Sequence, residues 1–208
     1  PTTTIDPEKD MANSVLFTQF EERQINSLFK LIVTKHSEVF DTTISKEDLT
    51  NFVLSLNSDK KLLFYITLYR FSFALSLNNQ LTTIISRSEI LRSLAELALW
   101  FEDELKRKDA SLSGRTLIQV LDQKVGQLNP KNGQYTFVTS LDELSTKIAD
   151  ALAASSNLDL TNARIMGCLR NFAGHNLEVQ DHAFFKSCDE VFARMLAFIV
   201  YAKGKGWI

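Results

Sequence analysis

The stretch HAFFKSCDEVFARMLAFIVYAK, residues 182–203, carries the clearest structural pattern in the chain. Apolar residues recur along it at spacings of three and four, the period at which side chains share one face of an α-helix. The apolar stripe comprises Phe184, Cys188, Val191, Met195, Phe198 and Ala202. A helix with such a stripe must bury it against other apolar elements, and this requirement points to a helical bundle.

The sequence upstream of this stretch predicts helices that would cover it. Apolar spacing indicates helices over residues 20–40, 60–77 and 161–176. His36 falls on the apolar face of the first, so it is predicted to be a core histidine and not a ligand. Residues 134–138 allow a short strand, but no partner strand is evident. The predicted fold class is therefore all-α.

Short polar sequences mark several predicted helix starts. Ser45, Ser86 and Ser140 each stand three residues before an acidic residue, which is the arrangement of a capping box. Together with the apolar pattern, these signals predict helices over residues 45–55, 88–108, 113–128 and 140–155. The Asn-Gly pair at 132–133 is a turn signal and separates the last two of these helices.

The loop near residue 80 predicts a division of the chain. Residues 1–80 would form an N-terminal helical extension and residues 81–208 a helical bundle, with one compact domain as the alternative. The stretch LLFYITLYRFSFALSL, residues 62–77, is too short to cross a membrane and carries Arg70 in its middle. It is predicted to be a buried core helix, and no membrane partner is expected.

The overall composition limits the classes of function. The net charge of −2 over 208 residues excludes a protein that coats nucleic acid generally, so any contact with RNA must be local. Cys168 and Cys188 are the two cysteines and do not form a CxxC pair. Two cysteines are too few for a disulfide scaffold, which favours buried free thiols and a cytoplasmic location.

One segment combines residue types that commonly act in catalytic sites. RNFAGH, residues 170–175, lies near the end of the helix predicted over 161–176. Arg170, Asn171 and His175 all fall outside the apolar face of that helix. On a regular helix Arg170 and His175 diverge by about 140°.

The RNFAGH segment resembles the R-x4-6-H motif of the HEPN superfamily, in which the residue after the arginine is often asparagine. Its place late in a helical bundle, before a final apolar helix, is also similar to that family. The resemblance covers about the last 120 residues in architecture and only a few residues, those of the motif, in sequence.

The resemblance implies a metal-independent endoribonuclease that needs no cofactor. The RNA 2′-hydroxyl would attack the adjacent phosphate and leave a 2′,3′-cyclic phosphate and a 5′-hydroxyl end. His175 would be the general base or acid, because imidazole titrates near neutral pH. Arg170 would stabilise the phosphorane, and Asn171 would orient His175 or the phosphate.

The resemblance also implies partners. Such domains pair as homodimers, so that two motifs face each other around one phosphate of single-stranded RNA. They often serve as effectors in defence or stress systems and are joined to a sensor domain or a partner protein.

Two alternatives stay open on the sequence alone. In the first, the chain is a non-catalytic helical module that binds RNA or protein, and Arg170, His175 and Asn176 only cap a helix end. In the second, it is a small-molecule sensor whose aromatic-rich helix over residues 62–77 lines a pocket.

The other polar residues are assigned structural or surface positions and no catalytic role. The charge run over residues 102–108 is predicted to be a solvated face. It has three i,i+4 ion pairs, which are Glu102–Lys106, Asp103–Arg107 and Glu104–Lys108. Asp181 is expected to cap the last helix and His182 to lie on the surface. The basic tail, residues 203–207, is expected to fray or to pack through Trp207.

Overall fold

A computed structural model describes residues 45–81, 84–126, 128, 138–153, 158–173 and 182–208, with Ser27, Phe29, Lys30, Val33, Thr34 and Ser37. The described residues form the helices α1 (Lys46–Leu54), α2 (Ser58–Leu81), α3 (Ile84–Lys108), α4 (Leu117–Val125), α5 (Leu141–Ala153), α6 (Leu158–Ala173) and α7 (Cys188–Gly204). Two short 3-10 turns, Ala110–Leu112 and Ala183–Lys186, precede α4 and α7. No strand occurs in these ranges, and the all-α prediction is confirmed.

Parts of two predicted elements fall outside the described residues. The six described positions between Ser27 and Ser37 are all helical, as predicted, and Phe29 is buried. His36 lies outside the described residues, so its predicted core position stays a prediction. The same holds for residues 134–137 of the short strand, whereas Val138 is buried and belongs to no regular element.

Local hydrogen bonds explain where two of the helices start. Ser45 forms the predicted capping box, because its hydroxyl accepts from the Asp48 amide at 3.0 Å and the Asp48 carboxylate accepts from the Ser45 amide at 2.8 Å. The predicted start of α4 at Ser113 is wrong. Helix α4 starts at Leu117, because Thr116 is its N-cap and forms a capping box with Gln119. A 3-10 turn, Ala110–Leu112, precedes it.

The predicted capping box at Ser86 is also wrong. Helix α3 begins at Ile84, so Ser86 lies inside the helix and is buried. The Glu89 carboxylate, expected to cap the helix, instead bonds Arg70 of α2 at 2.8 Å. A tertiary ion pair therefore replaces the local cap, as propensity signals are often overridden by packing.

The buried side chains form one hydrophobic core. Helix α6 packs against α3, α4, α5 and α7, so the motif-bearing helix is covered on several sides. Leu169 and Phe172 of α6 belong to the same core as Val191, Met195 and Phe198 of α7, which confirms that these helices share one bundle.

Packing continues across the predicted division at residue 80. Helix α2 packs along α3, and Phe71 of α2 stacks on Phe192 of α7 with a centroid distance of 3.7 Å. Phe52 of α1 meets Trp100 of α3 edge to face. Residues 45–81 therefore bury their apolar faces in the same core as the C-terminal helices.

Candidate functional site

Arg170 lies in the last turn of α6. The apolar side of this helix is buried through Ile165, Met166, Leu169 and Phe172, as the sequence predicts. Arg170 and Asn171 lie beside this face and are half-buried. The Arg170 side chain keeps 33% of its surface exposed, so solvent and ligands can reach it.

A buried carboxylate on α3 holds the Arg170 side chain. Its Nε donates a hydrogen bond of 2.9 Å to Oε2 of Glu102, whose side chain is only 5% exposed. The other oxygen of Glu102 accepts from Nζ of Lys106 at 2.6 Å. Arg170, Glu102 and Lys106, here called the Glu102 triad, thus combine one negative and two positive charges.

The triad lies where two helices end side by side. Lys106 is in the last turn of α3 and Arg170 is in the last turn of α6, and these helices pack together. Cations near helix C-termini are stabilised by the unpaired carbonyl groups there. Each cation therefore has a second source of stabilisation besides Glu102.

The bond through Nε leaves much of the Arg170 guanidinium available. Within the described ranges, neither Nη group of Arg170 hydrogen-bonds to another residue. A guanidinium has five donors, and its Nη groups can bind two oxygens of a phosphate at once. As far as the described residues go, Glu102 thus binds one edge of the guanidinium and the other edge keeps its donors for an anion.

The predicted solvated face over residues 102–108 is wrong for two of its carboxylates. Glu102 and Glu104 are 4% and 2% exposed, because α3 is covered by α2 on one side and by α6 on another. The predicted pair Glu102–Lys106 is confirmed. Glu104 instead pairs with Arg107, and also with Lys60 of α2 at 3.7 Å.

Glu102 is the residue of this site that sequence reasoning missed. A signal for its burial was present, because its helical neighbours Ala98 at i−4 and Leu105 at i+3 are both apolar and fully buried. The identity of its arginine partner had no such signal, since Arg170 is 68 residues away in sequence.

The other predicted site residues are only partly described. Asn171 follows Arg170 on α6. His175 and Gly174 lie outside the described residues, so the distance between His175 and Arg170 has no value in the structure. The structure therefore brings Arg170 together with Asn171 and with the unpredicted Glu102.

His182 differs from its predicted role. It caps the 3-10 turn Ala183–Lys186 itself, because its Nδ1 accepts from the Phe184 amide at 3.0 Å. The last helix begins only at Cys188, after Ser187, so its predicted start near residue 182 with a cap at Asp181 is wrong. Its Nε2 lies 2.7 Å from Oδ1 of Asp142 on α5. His182 is thus half-buried and joins two parts of the bundle.

The two cysteines and the basic tail take structural positions, as predicted. Burial raises the pKa of the Cys168 thiol to about 12, and it does the same for Cys188. Neither thiol is a nucleophile near neutral pH, since the thiolate is the reactive form. Trp207 packs edge to face on Phe198 and Tyr201, which holds the tail against α7.

A small surface pocket of about 90 Å³ lies between α2 and α3. Tyr69, Phe73, Leu77 and Ile85 line it, together with Arg70 and two neighbouring polar residues. Pockets for small-molecule ligands are typically several times larger, about 300 to 1,000 Å³. This pocket gives little support to the small-molecule sensor alternative.

Comparisons with protein-family models, with curated proteins and with solved structures give no significant match for this chain. The resemblance to HEPN proteins therefore depends on the RNFAGH motif and its helical setting.

Within the described ranges, no group of three or more His, Cys, Asp or Glu side chains could hold a metal ion. None of the described helices meets the length and hydropathy needed to cross a membrane.

Proposed function

We propose that the chain is a HEPN-like, metal-independent endoribonuclease or effector domain that acts as a homodimer on single-stranded RNA. The observation that carries the proposal is the exposure of Arg170 and its contact with Glu102. This arginine of the RNFAGH motif is partly exposed at a helix end, and among the described residues its guanidinium is held by Glu102 through Nε. An arginine whose Nη edge is open and held in place suits a phosphoryl group that gains negative charge in the transition state.

The remaining roles follow the motif. His175 follows Arg170 by five positions in the sequence and takes the role of general base or acid. Asn171 orients the histidine or the phosphate. The 2′-hydroxyl loses its proton and attacks the adjacent phosphorus, while the 5′-oxygen of the next nucleotide leaves and takes up a proton. The products are a 2′,3′-cyclic phosphate and a 5′-hydroxyl end.

The homodimer is part of this proposal. Arg170 and His175 diverge on a regular helix, so one protomer is poorly arranged to hold a phosphate from both sides. A two-fold axis near Asn171 would set Arg170 of one protomer beside His175 of its partner in an isologous interface. The segment from 160 to 208 would supply local positive charge, since it contains six Lys or Arg residues and four Asp or Glu residues.

The proposal is tested by incubating the purified chain with single-stranded RNA in EDTA. We expect cleavage that leaves 2′,3′-cyclic phosphate and 5′-hydroxyl ends, which end-labelling and mass spectrometry identify. A DNA strand of the same sequence should stay intact, because it lacks the attacking hydroxyl. The His175→Ala variant should be inactive. A requirement for Mg²⁺, or products with 5′-phosphate ends, would contradict this mechanism.

A second candidate is a non-catalytic interaction module. It is favoured by the apolar side chains exposed along α2 and α3, since Phe73, Ile84 and Ile85 are 49%, 68% and 72% exposed. Exposed apolar groups that lie together are typical of protein interaction surfaces. RNA that is bound but never cut, or neither bound nor cut, in the assay above would favour this candidate.

A further inference from the structure

The two oxygens of Glu102 each hold a different cation. Oε2 accepts from Arg170 of α6 and Oε1 accepts from Lys106 of α3. Both cations reach the surface, with 33% of the Arg170 side chain and 24% of the Lys106 side chain exposed, while Glu102 is buried below them. One carboxylate therefore holds the guanidinium of Arg170 and the ammonium group of Lys106 next to each other.

Packing alone does not explain a carboxylate at this position. Taking a carboxylate out of water costs several kcal/mol, and buried ion pairs are often no more stabilising than apolar residues of similar volume. Ala98 and Leu105, which neighbour Glu102 on the helix, are completely buried, so an apolar residue would suit this face. What an apolar residue cannot do is fix the plane of the Arg170 guanidinium.

We propose that Glu102 is a positioning residue that holds Arg170 and Lys106 together as one phosphate-binding pair. The proposal rests on the ribonuclease function above, and its ligand is the RNA phosphodiester. Arg170 contacts the scissile phosphate through its Nη groups, and Lys106 contacts the same phosphate or the next one as a compact point charge. Glu102 offsets the repulsion between the two cations and leaves the triad with a net charge of +1.

Glu104 provides a matched control. It lies two residues further along α3, is as deeply buried as Glu102, and also pairs with two cations. Those cations are Arg107 and Lys60, and neither belongs to the triad. Replacing either glutamate by glutamine removes one buried charge from the same helix, but only Glu102→Gln affects the motif arginine.

The test measures kcat and KM for RNA cleavage in EDTA by wild type, Glu102→Gln and Glu104→Gln. We expect kcat of Glu102→Gln to fall about tenfold to a hundredfold, since small errors in positioning cost this much. Its KM should stay unchanged or fall, because a negative charge near the RNA is lost. Because a loss of folded protein would also lower the apparent kcat at unchanged KM, kcat is calculated for the folded fraction that circular dichroism measures in each variant. Equal losses of kcat in both variants, or an unchanged kcat in Glu102→Gln, would overturn the proposal.

A binding measurement keeps the proposal testable if Glu102→Gln does not fold, or if the wild type cuts no RNA. The probe is a 2′-O-methyl RNA strand, which cannot be cleaved at its protected positions. Lys106→Gln should weaken its binding several-fold and lower the salt dependence of log Kd by about one unit per lost phosphate contact. Absence of cleavage by the wild type would reject the ribonuclease function. Unchanged binding by both Lys106→Gln and Arg170→Ala would reject the phosphate-binding pair.

Discussion

Arg70 and Arg170 are two arginines of nearly equal exposure, 30% and 33%, and each is held by carboxylates of α3. Their surroundings differ in charge. Glu89 and Glu96, with Arg92 bonded to Glu89, leave a net charge of −1 around Arg70. Arg70 bonds two carboxylates, with Nη1 donating to both oxygens of Glu96 at 2.9 Å and Nη2 donating to Glu89 at 2.8 Å. Arg170 shares a single carboxylate with Lys106.

Exposure alone does not show whether an arginine can bind an anion, because the partners of its Nη groups also matter. Burial by itself would lower the pKa of Arg70, but the hydrogen bonds and charges of Glu89 and Glu96 outweigh it and the pKa is raised. The Nη groups of Arg70 are occupied and its surroundings are net negative, so it joins α2 to α3 and has little attraction for an anion. Within the part of the chain that the structure describes, the Nη groups of Arg170 have no hydrogen-bond partner, and the charges of Glu102 and Lys106 beside it cancel.

The largest effect is expected from removing the motif arginine. Arg170→Ala should lower kcat/KM for RNA by at least about a thousandfold, because it removes a group that binds charge in the transition state. The fold should persist, since the side chain lies off the apolar face of α6, and circular dichroism measures this. Excess Arg170→Ala protein should also inhibit wild type if mixed dimers form. A stable monomer with full activity would contradict the shared site.

A charge reversal should make the Arg170 region resemble that of Arg70. Lys106→Glu surrounds Arg170 with two carboxylates, and kcat/KM should fall about a hundredfold, because reversing a charge a few ångströms from the phosphate costs about 2 to 3 kcal/mol. Lys108→Glu is the control, since Lys108 is exposed two positions further along the helix and makes the same change of charge. Equal losses in both variants would mean that only the general charge of the surface matters.

The smallest effect is expected at Arg70, and on stability instead of activity. Arg70→Met should lower the free energy of unfolding by about 1 kcal/mol, because partly exposed ion pairs contribute little and their carboxylates can be rehydrated. Denaturant unfolding followed by circular dichroism measures the change. Cleavage of RNA should stay at the wild-type rate under native conditions. A large loss of activity at Arg70 would remove the distinction between the two arginines.

Much of the helical structure is readable from the sequence because its causes are local. The three- and four-residue apolar spacing in α6 and α7 and the hydroxyl of Ser45 act within a few residues along the chain. The same local signals also placed Arg170 and Asn171 outside the apolar face of α6. Local reasoning was wrong at Ser86 and Ser113, where tertiary packing and a 3-10 turn decided the helix start.

By itself, the sequence determined the all-α class, the apolar face of α6 and the exposed side of that helix on which Arg170 lies. Only the tertiary structure decided which charged groups are buried and which of them meet. Glu102 belongs to a charge run that was predicted to be solvated, and it is buried because α6 packs over the end of α3. Its bond to Arg170 joins residues 68 positions apart. No periodicity or capping rule extends over that distance, because it is the packing of one helix on another that brings the two residues together.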